Sequence, residues 1–375
     1  MSVRVAFCLR DMQLGGVESV LIRTLEYLST DKKFDITVVT FVDVTEPVWV
    51  DWFDKHKNVK RVVLYPSRVL GTRMPRFFLW RVVKHFARDV YRFWRRVRVV
   101  KKLLSGFDVF VDYHDFGFSH ELKNIKNAKK IAWFHSSLRV FQKRKFSRKL
   151  CIYDNVVVLT DDCANDMKNL CPAYANKFIR IYNPIDIESV RARAREKCDV
   201  RGKYFCSVAR MSYDKDIWTL LDAFDLFWKN HKNVKLVLVG GGDKRDVFEK
   251  YADGLMSHKN IIFTGSQKNP YPYVAGAVAH ILSSRGEGLP TVLIEAAALG
   301  VLNIASNCKY GPREILLDGA AGVLFAPGDT HALAKAMTDV YENTVDVRKM
   351  INVSTRELKR FASDVVIKQI KSLIS

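Results

Sequence analysis

The 375-residue sequence has no stretch of eighteen consecutive apolar residues, which excludes a membrane-spanning helix. It has no C-x-x-C pair among its seven cysteines and no His/Cys cluster at ligand spacing, so no zinc module is predicted. The odd cysteine count fits a reducing compartment with buried thiols. Neither G-x-G-x-x-G nor G-x-x-x-x-G-K-[ST] occurs after the first strand, so dinucleotide binding and P-loop phosphoryl transfer find no support. Heptads, low-complexity tracts and solenoid repeats are also missing. The opening MSVRVAFCLRDM carries charges within its apolar run and no small-residue cleavage site. It is predicted to be a first β-strand and not a secretion signal.

What is present begins with charge. The net charge is +21, and residues 51–150 supply nineteen of it, with 26 Lys and Arg against seven Asp and Glu. The other residues are almost neutral. One basic surface is therefore expected, of a kind that attracts nucleic acid, an anionic membrane or a phosphorylated acceptor. Hydrophobic residues at 48% are ample for two domain cores.

Apolar runs without alternation, separated by helical stretches, predict parallel sheets covered on both faces. In the first half these are Val3–Leu9, Ile36–Val42, Val59–Leu64, Asp108–Tyr113, Lys130–Phe134 and Asn155–Leu159. Val20, Leu21, Leu25 and Leu28 mark a helix after the first. Phe178–Asp186, containing Asn183-Pro184, reads as a connector. A second series then follows, with strands Tyr204–Val208, Lys235–Val239, Ile261–Thr264, His280–Ser283 and Leu302–Ala305. Its helices are Trp218–Trp228, Lys244–Met256 and Pro290–Leu299. The predicted fold class is α/β, with two Rossmann-like, doubly wound domains facing each other across a cleft. The boundaries are 1–183 and 184–355, with residues 356–375 packing back on the first domain.

Three constellations can carry chemistry. Glu287 and Glu295 stand eight positions apart around Gly288, Leu289, Pro290, Thr291 and Val292. Pro290 suits the first position of a helix, which puts Glu287 in the preceding loop and Glu295 roughly 7–8 Å along the axis. Between them lie the helix's free N–H groups and positive dipole end. Sugar, diphosphate and ribose of a nucleotide sugar would meet these groups in that order. A capping acid plus a surface acid on an amphipathic helix would give the same pair. Arg210 and Lys215 follow a strand of the second domain, where doubly wound folds bind ligands, and can hold a diphosphate. An exposed loop with solvated charges is the plainer alternative. Asp214-Lys215-Asp216 is a literal D-x-D, but the interposed lysine and nearby arginine argue against a dication, so no metal is expected. Gly15-Gly16 forms a strand–helix turn in which paired glycines permit positive φ and close approach to a ligand.

Glu287 through Glu295 resemble the E-x7-E motif of retaining glycosyltransferases of the GT-B fold, glycosyltransferase family 4. The surrounding order agrees: GGVE near the start, Trp133-Phe134-His135, Asn183-Pro184-Ile185-Asp186, Arg210 with Lys215, LVLVGGGD, IIFTGSQKN, and Ser306 to Ile315 beyond the motif. The resemblance is strong from about 200 to 335 and sparser before. It implies an N-terminal acceptor domain and a C-terminal nucleotide-sugar domain. It further implies that Arg210 and Lys215 contact the donor diphosphate, Glu287 sits beside the donor sugar, and Glu295 binds the ribose hydroxyls. The backbone from Gly288 to Val292 would hold phosphate and sugar oxygens, Gly15 and Gly16 would admit the diphosphate, and His135 would lie beside the sugar. Transfer would keep the anomeric configuration, a donor phosphate oxygen taking the acceptor's proton, with no protein nucleophile. Two positions depart from the pattern: Lys215-Asp216 stands where the family usually has Lys-Gly, and AVAHILSS lacks an acid after its first alanine.

Arg68–Lys102 contains twelve Lys/Arg and one acid, Asp89, interleaved with Phe77, Phe78, Trp80, Phe86, Tyr91, Phe93 and Trp94, and Arg139–Lys149 adds six cations. A basic helix with an aromatic face suits a membrane interface. The expectation is a cytoplasmic enzyme, peripheral on the inner face of the cytoplasmic membrane, needing no cofactor. It would move a hexose or N-acetylhexosamine, from a donor expected to be UDP-linked, to a lipid-linked or lipopolysaccharide-type acceptor. The alternatives are another GT-B enzyme, such as a sugar-nucleotide epimerase, or a nucleic-acid-binding protein using residues 68–149. No acid/base pair for an epimerase and no nucleic-acid-binding module is visible, so no nucleic-acid partner is expected.

Overall fold

The computed structural model describes residues 2–13, 15–66, 90–91 and 99–375. Nearly all of the basic aromatic segment Arg68–Lys102 lies outside the described residues. The chain divides into two compact units: residues 1–158, 164–181 and 367–375, and residues 159–163 and 182–366. Each is built on one parallel sheet.

The first sheet holds β1 (Val3–Leu9), β2 (Phe34–Thr40), β3 (Lys60–Val63), β4 (Val109–Asp112), β5 (Lys129–Trp133), β6 (Asn155–Val158) and β7 (Phe178–Arg180). Their order is β3-β2-β1-β4-β5-β6-β7, all pairs parallel. Val5 through Leu9 are completely buried, as expected where helices cover both faces. The second sheet holds β8 (Tyr204–Val208), β9 (Lys235–Val239), β10 (Ile261–Gly265), β11 (Ala279–Leu282), β12 (Asn303–Ser306) and β13 (Val323–Phe325), in the order β10-β9-β8-β11-β12-β13. Its core joins Phe205, Leu236, Leu238 and Ile281 of the strands to Leu220, Leu221, Phe224 and Leu333 of the helices. Each fully buried side chain of this size contributes about 1.5–3 kcal/mol.

Strand order reverses between β1 and β4 in one sheet and between β8 and β11 in the other. There the outgoing loops diverge and leave a crevice at the carboxyl ends. The segments after β1, β4 and β5 in the first unit, and after β8 and β11 in the second, carry the candidate residues.

The architecture agrees with the expected pair of doubly wound domains, with three local corrections. Phe178–Arg180 is a seventh strand where a connector was expected, and the loop begins only after it. It is three residues long with Phe178 buried, too little for a periodicity to show. Pro290 is the residue before the helix, with extended ψ of 92°, and Thr291 is the first helical one. Neither Gly15 nor Gly16 takes positive φ: Gly15 is extended at φ −158° and Gly16 starts the helix Gly16–Leu28. The final helix, Ser363–Ile374, ends in the first unit, where Lys371 pairs with Asp31 at 2.7 Å and Lys129 donates to the Leu373 carbonyl at 2.5 Å. Among the described residues no helix is long and apolar enough to cross a membrane.

Candidate functional site

In the second unit the chain leaves β8 through Ala209 and Arg210 and makes a single 3₁₀ turn, Tyr213–Lys215, before the helix Ile217–Trp228. Lys215 folds inward and its Nζ lies 2.7 Å from Glu287 Oε1. Both side chains are mostly buried, 18% and 11% exposed. Glu287 Oε1 also accepts the Ser284 hydroxyl at 2.6 Å. Arg210 instead faces solvent, 69% exposed, 4.0 Å from Asp214. Lys215 lies 3.8 Å from the same carboxylate, so Asp214 joins the two cations. Partial burial alone would raise the Asp214 pKa, but the Ser212 hydroxyl and the two cations hold it below the usual carboxylate range.

Glu287 is in the loop between β11 and the helix Thr291–Ala298, and Glu295 is on that helix. Tyr271 donates its hydroxyl to Glu295 Oε1 at 3.4 Å, and the Arg193 guanidinium lies over the Tyr271 ring. The loop is fixed by two backbone bonds to the segment after β12: Glu287 N–H to the Lys309 carbonyl and Tyr310 N–H to the Glu287 carbonyl. Gly311, at φ +100°, lets that segment close in, since a Cβ there would lie 2.5 Å from Pro290 Cδ. Between the carboxylates the first turn of the helix has N–H groups with no intrahelical acceptor and a positive dipole end. A cation pair, a carboxylate and a helix N-terminus thus meet beyond the carboxyl ends of β8 and β11, which suits a diphosphate carrying a hydroxyl-rich group.

The first unit holds a second cluster. Gly15 precedes the helix Gly16–Leu28, and a Cβ on it would meet Glu18 Oε2 at 2.6 Å, so glycine leaves room for that carboxylate at the helix start. Gly16 faces open space. Glu18 is buried and lies 3.4 Å from His114 Nε2, while His114 Nδ1 accepts the Arg10 backbone N–H, which puts the ring proton on Nε2. His135, two residues beyond β5, donates its backbone N–H to Asp115 at 2.7 Å, and the Ser136 hydroxyl bonds the other oxygen of that carboxylate. The His135 residue is partly exposed, but its Nε2 is buried with no hydrogen-bond partner among the described residues. Desolvation pushes the ring pKa down to about 3, so it is neutral at ordinary pH. Burial raises Asp115.

The structure therefore gathers Arg210, Lys215, Glu287, Glu295 and Gly288 to Val292 in the second unit, and His135, Gly15 and Gly16 in the first. Several partners were not singled out from sequence: Ser284, Asp115, Glu18, His114 and a buried pair, His280 with Asn303. His280 Nδ1 bonds Asn303 Oδ1 at 2.9 Å, and its Nε2 takes the Val208 N–H at 3.4 Å, where β8 has separated from β11. Asn303 in turn donates to the Leu293 carbonyl of the Glu295 helix. A polar residue in an otherwise apolar strand, such as His280 in AVAHILSS, was the one available signal. Among the described residues no group of three or more His, Cys, Asp or Glu is placed to hold a metal ion.

Residues 190–357 match the family model described as Glycosyl transferases group 1. The chain is 22% identical to an uncharacterised glycosyltransferase of Methanocaldococcus jannaschii, over 92% of this chain and 93% of that protein. It is 28% identical to the lipopolysaccharide 1,6-galactosyltransferase of Salmonella typhimurium, over 40% of this chain and 42% of that one. Among solved structures, Anabaena HepE in complex with UDP and glucose superimposes with a TM-score of 0.77, at 17% identity over 99% of both chains, a likeness of fold. The two parallel-sheet domains are thus of the GT-B architecture, and the sequence matches support a glycosyltransferase.

Proposed function

We propose that this chain is a retaining glycosyltransferase of the family 4 type. It transfers a hexose or N-acetylhexosamine from a UDP-linked sugar to a lipid-linked or lipopolysaccharide-type acceptor. The observation that carries the reading is the 2.7 Å Lys215–Glu287 pair beside the N-terminus of the Glu295 helix. It sets a cation for the diphosphate next to an acceptor for sugar hydroxyls, with a second carboxylate on the helix for the ribose. A UDP-linked donor draws support from the UDP bound in the HepE structure, and a lipopolysaccharide-type acceptor from the similarity to the Salmonella lipopolysaccharide 1,6-galactosyltransferase.

In this mechanism the bond between the anomeric carbon and the donor phosphate oxygen breaks. The acceptor hydroxyl oxygen attacks the same face, and its proton passes to the departing phosphate. Arg210 and Lys215 stabilise the charge that develops on the leaving diphosphate, the work a dication does elsewhere, so no metal is required. Glu287 and the N–H groups of Gly288 to Val292 hold the sugar and phosphate oxygens. His135, kept neutral at ordinary pH by burial, is the first unit's candidate residue for the sugar. Product analysis by proton NMR tests the reading: an anomeric coupling equal to that of the donor is expected, and inversion would overturn it.

The basic residues of 68–149 would dock the first unit on an anionic membrane at the inner face, where such acceptors lie. About 1 kcal/mol per surface cation makes reversible binding sufficient. Flotation with phosphatidylglycerol vesicles should show binding that salt releases, and absence from these vesicles at low salt would refute it.

A further inference from the structure

Between the cation loop and the Glu287 loop lies a link that the reading above does not use. Asp216, next to Lys215, has φ 48° and ψ 49°, the left-handed region that favours glycine. Its carboxylate is only 5% exposed, so the charge needs a partner. Arg285 supplies it, with Nε 2.7 Å from Asp216 Oδ2, and the Thr219 hydroxyl donates to the same oxygen at 2.8 Å. The guanidinium lies against Gly328, at φ +81°, where a Cβ would approach Nη1 to 2.7 Å. Arg285 also donates its backbone N–H to the Asp214 carbonyl at 2.9 Å, and Ser283 donates its hydroxyl to the Lys215 carbonyl at 2.8 Å. Three consecutive residues of the cation loop are thus tied to the end of β11, two positions before Glu287.

We propose that Arg285 is a positioning residue of the donor site: by clamping Asp216 it sets where Lys215 stands relative to Glu287 and the helix N-terminus. The inference rests on the donor-site reading above. Removal of the guanidinium, itself 58% exposed, would leave the Asp216 carboxylate to the Thr219 hydroxyl and water, and the strained turn would lose the cation that holds it. A glycine at 216 would take the same backbone conformation without the clamp.

The test is calorimetric titration of the full chain with UDP, GDP and ADP, paired with thermal melting. Arg285→Ala is expected to weaken the nucleotide that the wild type binds by tenfold or more while remaining folded. The double variant Asp216→Gly with Arg285→Ala is expected to recover affinity to within threefold. Arg285→Lys, which keeps the charge but not the planar fork, guards against loss of folding and should fall between the two. Folded Arg285→Ala that binds as the wild type does, or a double variant as weak as the single one, would overturn the clamp and leave the donor site standing. A wild type that binds none of the three would instead overturn the donor site, and the clamp with it.

Discussion

Lys215→Ala separates a donor-phosphate site from a structural ion pair. Lys215 contributes one ammonium, 2.7 Å from Glu287 Oε1 and 3.8 Å from Asp214 Oδ2. A charge-assisted hydrogen bond to a ligand phosphate contributes about 2 kcal/mol, or roughly a 30-fold change in Kd. The substitution also strands the Glu287 carboxylate, 11% exposed, with the Ser284 hydroxyl as its remaining partner at Oε1. Loss of one member of a buried pair costs about 3–5 kcal/mol, and slightly less here because both ends keep some water contact. The expected result is a lowered Tm together with a roughly 30-fold weaker nucleotide, read by thermal melting and calorimetry on the same samples. Glu287→Gln tells the two effects apart. The amide keeps the Ser284 bond and frees the ammonium, so nucleotide affinity should hold or rise a few-fold while turnover collapses. If Lys215→Ala lowers Tm yet binds nucleotide as the wild type does, the pair is structural and the phosphate assignment is refuted.

Gly311→Ala should cost about 2 kcal/mol or more in stability, because the position combines φ +100° with a Cβ contact of 2.5 Å to Pro290, and it should weaken nucleotide binding by moving the Glu287 loop. Thermal melting and calorimetry check both halves. Gly15→Ala, whose new methyl would lie 2.6 Å from the buried Glu18 Oε2, should push that carboxylate from its place beside His114 and lower Tm modestly. Burial lowers His280 to about 4, so between pH about 6.5 and 4 the unfolded chain binds a proton that the folded chain excludes. This residue alone should lose roughly 3 kcal/mol of stability as pH falls through that window, and His280→Leu with Asn303→Leu should flatten the Tm profile there. Burial instead raises Asp112 to about 7, so between pH 3.8 and 7 the folded chain keeps a proton that the unfolded one has released. Its contribution falls as pH rises, and Asp112→Asn should gain Tm at pH 7 relative to pH 4.

The fold was legible where burial on both faces writes a continuous apolar run. Val3–Leu9, Tyr204–Val208 and Lys235–Val239 are strands with the bounds expected. The short outer strands Phe178–Arg180 and Val323–Phe325 were not, since three residues carry no period and their neighbours decide their pairing. At the site, Glu287 and Glu295 could be read because one short segment holds both with a helix start between them. The Lys215–Glu287 contact could not, since the two stand 72 positions apart and only the switch between β8 and β11 brings them together. Asp216 shows the same limit: in the sequence it was a departure from a glycine, and only the backbone conformation and Arg285 give it a reason.

The most direct test of a donor site in the second unit is a thermal-shift panel of UDP, GDP, ADP and their sugars on the wild type, Glu295→Ala and Lys215→Ala. A ligand that binds the native state alone raises Tm by mass action, by about 2.7 kcal/mol of stability at a hundredfold excess over Kd. Stabilisation of the wild type by the UDP series is predicted, reduced in Glu295→Ala and cut in Lys215→Ala to about a third, the remainder that a roughly 30-fold weaker Kd leaves at the same ligand concentration. No shift of the wild type with any nucleotide at millimolar concentration, or an equal shift in all three proteins, would contradict it.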